Sequence, residues 1–150
     1  MYYGYVNLIT NYTIMKNALS SGLIIGILSL VWLLVMHWLG YNSVKDNNLA
    51  PYEYFSVLIP LIGLFLGLRA YREKEQGGKM SFLEGLIQGF KILLVGGVIA
   101  GFIGVIYINW FSPSNLNFSD FSGRIFGALL VGILFDIVVS LILMNRSTHL

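Results

Sequence analysis

Four apolar runs, each of a length that can cross a lipid bilayer, constrain this chain more than any other feature. The first, residues 18–39, holds no Asp, Glu, Lys or Arg and is interrupted only by Ser, Gly and a late His37. As a helix it would be about 33 Å long, against a hydrocarbon core of about 30 Å. Further runs follow at about 54–70, 86–111 and 123–144. A cleaved signal peptide would have a shorter apolar stretch and a small-residue cleavage site after it. Here the run closes on His37-Trp38-Leu39-Gly40-Tyr41, so it is expected to be retained. The second span holds Pro60, which is expected to kink it in mid-membrane. The expected fold is all-α: a single integral membrane four-helix bundle.

Composition explains why no soluble reading competes. Charged residues make up 11% of the chain and apolar ones 57%, with a mean hydropathy of +0.77. A soluble domain carries about a quarter charged residues to cover its surface. The lipid bilayer is therefore the first partner. A net charge of +2, scattered along 150 residues, gives nucleic acid no footprint. With no Cys there is no disulfide framework, thiolate metal site or thiol nucleophile. No cofactor motif and no catalytic set is legible, so the expectation is a non-enzyme.

Lys and Arg set the expected orientation, because they concentrate in cytoplasmic loops. The link between the second and third runs holds Arg69, Arg72, Lys74 and Lys79. Lys16 precedes the first run and Arg146 follows the last; the remaining loops offer only Lys45 and Arg124, with Asp120 four residues before the latter. The middle link and both termini are thus expected inside. Trp38, Tyr41, Tyr52 and Tyr54 at one outer border, and Tyr107, Trp110 and Phe111 at the other, fit the aromatic belt of a membrane interface.

In lipid, helices associate through close packing of small residues. Gly-x-x-x-Gly spacing occurs at Gly22/Gly26, Gly63/Gly67, Gly97/Gly101 and Gly123/Gly127. The third run adds Gly85/Gly89, with Gly96, Ala100 and Gly104 on an adjoining ridge, and is expected at the crowded centre of the bundle. For the first run, lipid-facing glycines are an equal alternative. Ser81-Phe82-Leu83-Glu84 has capping-box spacing, and Gly77-Gly78 suits the end of the preceding helix. Together they predict a tight helical hairpin, its first helix running on through Arg72-Glu73-Lys74-Glu75.

Ionisable side chains within the spans are where function is sought first. The capping box accounts for Glu84. Lys91 has two readings, snorkelling back to the inner headgroups or pairing inside the bundle. Asp136 lies about 12 Å from the inner end of its helix, and its short side chain leans away from that end. Charged and near mid-span it would cost about 2.5–3.5 kcal/mol. A Lys91–Asp136 contact between the third and fourth helices is the expected relief, either as a lock on the bundle or as a transport device. His37 has no second ligand at metal spacing and is expected at the interface. The Asn-x-Ser/Thr triplets at Asn11, Asn117 and Asn145 are short enough to arise by chance.

Met15-Lys16-Asn17-Ala18 before a Gly-rich span, then Gly67-Leu68-Arg69-Ala70-Tyr71-Arg72-Glu73-Lys74, Gly77-Gly78 and Met80-Ser81-Phe82, form a pattern. It resembles the bacterial membrane proteins grouped as domain-of-unknown-function family 4199. The resemblance covers about Met15 to Arg146 and implies a four-helix protein of a bacterial inner (cytoplasmic) membrane. It brings no established activity and no catalytic residues. Lys91, Asp136 and the Tyr-rich residues 1–14 lie outside the pattern. That N-terminal stretch reads either as an interfacial anchor or as an extension upstream of a start at Met15.

Two functions follow as expectations. One is an accessory or scaffolding subunit that binds another membrane protein or itself. The other is a small oligomeric transporter or lipid flippase using Asp136 and Lys91. Small multidrug transporters of similar size carry an acidic residue in the first helix, which this chain lacks.

Overall fold

The computed structural model describes the backbone of residues 2–40, 55–111 and 118–145, and the side chains of 15–40, 55–111, 123 and 125–145. Lys45, Tyr41, Tyr52, Tyr54 and Arg146, and the side chains of Asn11, Asn117, Asp120 and Arg124, lie outside the described residues. Among the described residues, four helices make up the fold: α1 (Tyr2–Trp38), α2 (Leu58–Lys74), α3 (Phe82–Phe111) and α4 (Phe118–Leu143). Each contains a stretch long and apolar enough to cross a membrane, namely Met15–Trp38, Phe55–Lys74, Phe82–Phe111 and Ile125–Leu143. The helix of α1 begins well before its apolar run, so residues 2–14 continue the same rod.

α2 departs from the expectation. A short 3-10 turn at 55–57 leads into Leu58, which makes Pro60 the third residue of the helix. The first four N–H groups of a helix have no intrahelical partner. Pro60 therefore removes a donor that had nothing to bond, and the expected mid-membrane kink loses its cause.

The hairpin between α2 and α3 follows the sequence closely. Gly77 and Gly78 take φ values of +59° and +82°, the left-handed region in which a Cβ is strained. The Gly78 N–H reaches back to the Arg72 carbonyl at 2.8 Å. Ser81 then caps α3. Its N–H and hydroxyl both donate to Glu84 Oε2 at 2.8 Å, and the Glu84 N–H donates to Ser81 Oγ at 3.3 Å. Each partner so satisfies a donor that the helix start leaves open. Ser81→Ala is expected to cost about 1 kcal/mol and Ser81→Asp much less, read as thermal unfolding in detergent. Equal stability of Ser81→Ala and wild type would deny the cap any role.

α2 and α3 sit at the middle of the bundle. Each packs against the other three helices, whereas α1 and α4 share no substantial interface among the described residues. Ala18 and Ile25 of α1, Leu64, Leu68 and Tyr71 of α2, Ile92 of α3, and Val139 and Leu143 of α4 form the core, with Met80 from the turn. The outer faces are apolar: Leu23, Leu66, Phe90, Phe102, Leu134 and Ile142 are all exposed. Lipid replaces water as the solvent of such a surface. Gly22 shows why α1 can lie so close to α3: a Cβ there would stand 2.9 Å from the Gly96 backbone nitrogen. The glycines of the first span thus face a helix, and the lipid-facing alternative does not hold for them.

Candidate functional site

About 10 Å inward from the end that carries the Gly77-Gly78 turn, the four helices bring polar groups to one level. Gln88 Nε2 on α3 donates to Asn17 Oδ1 on α1 at 2.9 Å. Asn17 Nδ2 in turn donates to the Gly67 carbonyl of α2 at 3.3 Å. One asparagine so ties three helices together. Ser21, buried one turn further along α1, packs on Gly67. In hydrocarbon an unpaired polar group costs several kcal/mol, so such groups hold the helices that offer them partners.

The fourth helix meets this level through Asp136, which is 1% exposed. Ser140 Oγ donates to Asp136 Oδ1 at 3.2 Å. The carboxyl packs against Gly89: a Cβ on that glycine would stand 2.5 Å from Asp136 Cγ. One turn away, a Cβ on Gly85 would stand 3.0 Å from Ser140 Oγ. Two glycines four apart on α3 thus form a slot, and two polar residues four apart on α4 fill it. Further along, the fit relaxes. Positions 97 and 101 approach Leu129 and Ile125 only at ordinary contact, 3.9 and 4.0 Å.

Lys91 does not join Asp136. The ion pairs among the described residues are Arg69–Glu73 and Arg72–Glu73. The reason is helical phase. Asp136 rests on Gly89, and Lys91, two residues on, is turned about 200° round the helix from it. The expected charge pair is therefore replaced by a hydroxyl and a glycine slot.

At the turn end the basic residues divide. Arg69 is exposed and pairs with Glu73 at 2.9 Å, a contact that solvent screens. Arg72 Nη1 donates to the Leu143 carbonyl at 3.3 Å, serving the last turn of α4, whose carbonyls lack helical partners. Lys74 and Lys79 are exposed. Asn145, just past α4, was not marked by sequence as more than a chance triplet. It accepts from the Met80 N–H at 2.9 Å and donates to the Gly78 carbonyl at 2.7 Å, while its own N–H bonds the Met80 carbonyl at 3.1 Å. The available signal was positional, since Asn is a helix-stop residue.

Glu75 follows the last turn of α2, and burial pushes its carboxyl above the usual carboxylate range. Its Oε2 is buried with no hydrogen-bond partner. A carboxyl raised on folding is neutral in both states at acid pH and opposes folding as pH climbs from its unfolded toward its folded value. Glu75→Gln is therefore expected to raise the thermal midpoint at neutral pH and to leave it unchanged in acid. A gain of the same size at both pH values would refute the charge argument.

The far end of the bundle carries His37. Its Nδ1 shares a 2.8 Å hydrogen bond with the Tyr107 hydroxyl, and its ring packs on Phe111 with centroids 4.4 Å apart. Trp38 and Trp110 at the same end are 93% and 79% exposed, the position of an interfacial belt.

Four helices long and apolar enough to span, locked by an internal polar level, define a small multi-pass membrane protein. Residues 20–119 match the family model described as "Protein of unknown function (DUF4199)", and the chain belongs to that family. No curated protein and no solved structure matches the chain.

Proposed function

We propose that this protein is a non-enzymatic accessory or scaffolding subunit of a bacterial inner-membrane complex, with both termini and the Gly77-Gly78 turn on the cytoplasmic side. The observation that carries the reading is how the buried polar groups are used. Asn17 and Gln88 bond across helices, Asn17 reaches the Gly67 carbonyl, and Ser140 holds Asp136 in a glycine slot. Side chains committed to tying helices suit a rigid body that supports a neighbour. The orientation rests on Lys16, Arg69, Arg72, Lys74 and Lys79, all toward one end, through the preference of Lys and Arg for the cytoplasmic face.

The test is extraction of the tagged full chain from native membranes in mild detergent, with native mass measurement of the particle. A stoichiometric companion, or a discrete self-assembly, is the expected result; a bare monomer would overturn the proposal. Transport is the competing outcome, recognised by substrate flux in liposomes that disappears in Asp136→Asn. Accessibility of a cysteine placed at Lys79 to an impermeant reagent in intact cells would overturn the orientation.

A further inference from the structure

Asp136 does more than fill a slot. We infer that it is a proton-binding site of the membrane interior, occupied while α3 and α4 are packed and emptied only when the seam between them opens at Gly89. Three observations meet there. Asp136 is 1% exposed. No cation lies within ion-pair distance of it among the described residues, and the Ser140 hydroxyl is its hydrogen-bond partner. Its Oδ1 and Cγ lie against the Gly89 backbone, closely enough that a methyl group there would have no room.

The ionisable groups on the surrounding elements do not supply the missing charge. On α3, Glu84 is engaged by the Ser81 cap, and Lys91 is turned about 200° away from Gly89. On α2, Arg69 pairs with Glu73, Arg72 reaches the Leu143 carbonyl about 10 Å nearer the end, and the Tyr71 hydroxyl accepts from Gln76. On α1, Lys16 is exposed at the surface. α4 itself brings no other ionisable side chain among its described residues.

An isolated carboxylate in such a setting costs far more than the neutral acid, and one hydroxyl donor does not offset it. The packed seam therefore holds the acid form. Ionisation breaks the carboxyl O–H bond, leaves the electron pair on Asp136 and passes the proton to water. That water, and the water needed to solvate the anion, enter by parting α3 from α4 at the glycine slot. Proton release and helix separation become one event. The slot so makes this seam responsive to proton activity, a property that the scaffolding role does not require.

The experiment uses the full chain in liposomes. Infrared spectra across a pH series should show a protonated carboxylic C=O band at neutral pH that is missing from Asp136→Asn. Ser140→Ala should shift that band by removing its hydrogen bond, which assigns it even if Asp136→Asn does not fold. The chain has no native Cys, so nitroxides on Phe90→Cys and Leu134→Cys report the α3–α4 separation cleanly. Loss of the band on alkalinisation, with a longer label distance in step and no lengthening in Asp136→Asn, is the expected result. A carboxylate already ionised at neutral pH, or a band that titrates while the label distance stays fixed, would overturn the inference.

Discussion

Gly89→Ala is expected to be the most damaging single methyl that this seam can receive. The new Cβ would fall on the Asp136 carboxyl, itself buried and held by Ser140, so neither partner can swing away without breaking a contact. Overpacking of this kind costs about 1–3 kcal/mol, which is roughly a 5- to 150-fold shift toward the unfolded state. Position 85 is more forgiving, because no atom would stand closer than 3.0 Å to a Cβ there, against 2.5 Å for Asp136 Cγ at position 89. Gly97→Ala and Gly101→Ala add a methyl at ordinary contact distance, and their gain in helix propensity, about 1 kcal/mol in soluble helices, should leave them neutral or stabilised. Removing the obstacle should also restore tolerance: Asp136→Ala in the Gly89→Ala background is expected to recover most of the loss, a coupling that a double-mutant cycle measures. Thermal unfolding in detergent reads these variants, with Asp136→Ala alone completing the cycle. Equal effects at positions 89 and 97 would show that the slot is not a special contact.

That gradient along α3 marks where the sequence was readable and where it was not. Gly-x-x-x-Gly spacing announces a packing ridge, but at the same spacing α4 atoms would stand 3.0 Å or less from a Cβ on Gly85 or Gly89 and 3.9–4.0 Å from one on Gly97 or Gly101. Only the neighbour's side chains decide that. Spans, hairpin and capping box were legible because each depends on residues adjacent in the chain: apolar length, left-handed Gly77-Gly78, and Ser81 with Glu84. Pro60 was misplaced because its effect depends on whether it falls in the first turn, and a helix start without a side-chain cap leaves no mark in the sequence. Depth along a helix axis was read well enough to bring Asp136 and Lys91 to similar levels. Azimuth was not, since two residues of phase separate a partner from a bystander.

The residues that carried the family resemblance acquire a common physical meaning in the structure. Asn17 ties α1 to α2 and α3; Arg72 reaches α4; Gly77 and Gly78 make the turn; Ser81 starts α3. All lie at one end of the bundle, and each joins elements that the apolar runs alone would leave free to slide. Lipid offers helices little driving force to associate, so specific polar ties at one end fix the register that burial from water would fix in a soluble protein.

Asn145 is the tie that holds the fourth helix to that end, and Asn145→Ala should show it. The substitution removes the acceptor of the Met80 N–H and the donor to the Gly78 carbonyl. Met80 is fully buried, so its N–H is left without a partner in a place poorly reached by water. An unsatisfied donor of this sort costs about 1–3 kcal/mol, and the second lost bond adds about 0.5–1.5 kcal/mol less whatever water recovers at the exposed Gly78 side. A loss of about 2 kcal/mol is expected, enough to change the unfolding equilibrium roughly 30-fold. The damage should be local first: faster amide exchange at Met80 and easier proteolysis at residues 77–80, before any change at the His37–Tyr107 end. Asn145→Asp keeps an acceptor for Met80 and loses only the donor, so it should fall between wild type and Asn145→Ala. Should Asn145→Ala exchange and unfold like the wild type, the turn would be held by Arg72 and the capping box alone, and the fourth helix would owe its place to the glycine slot.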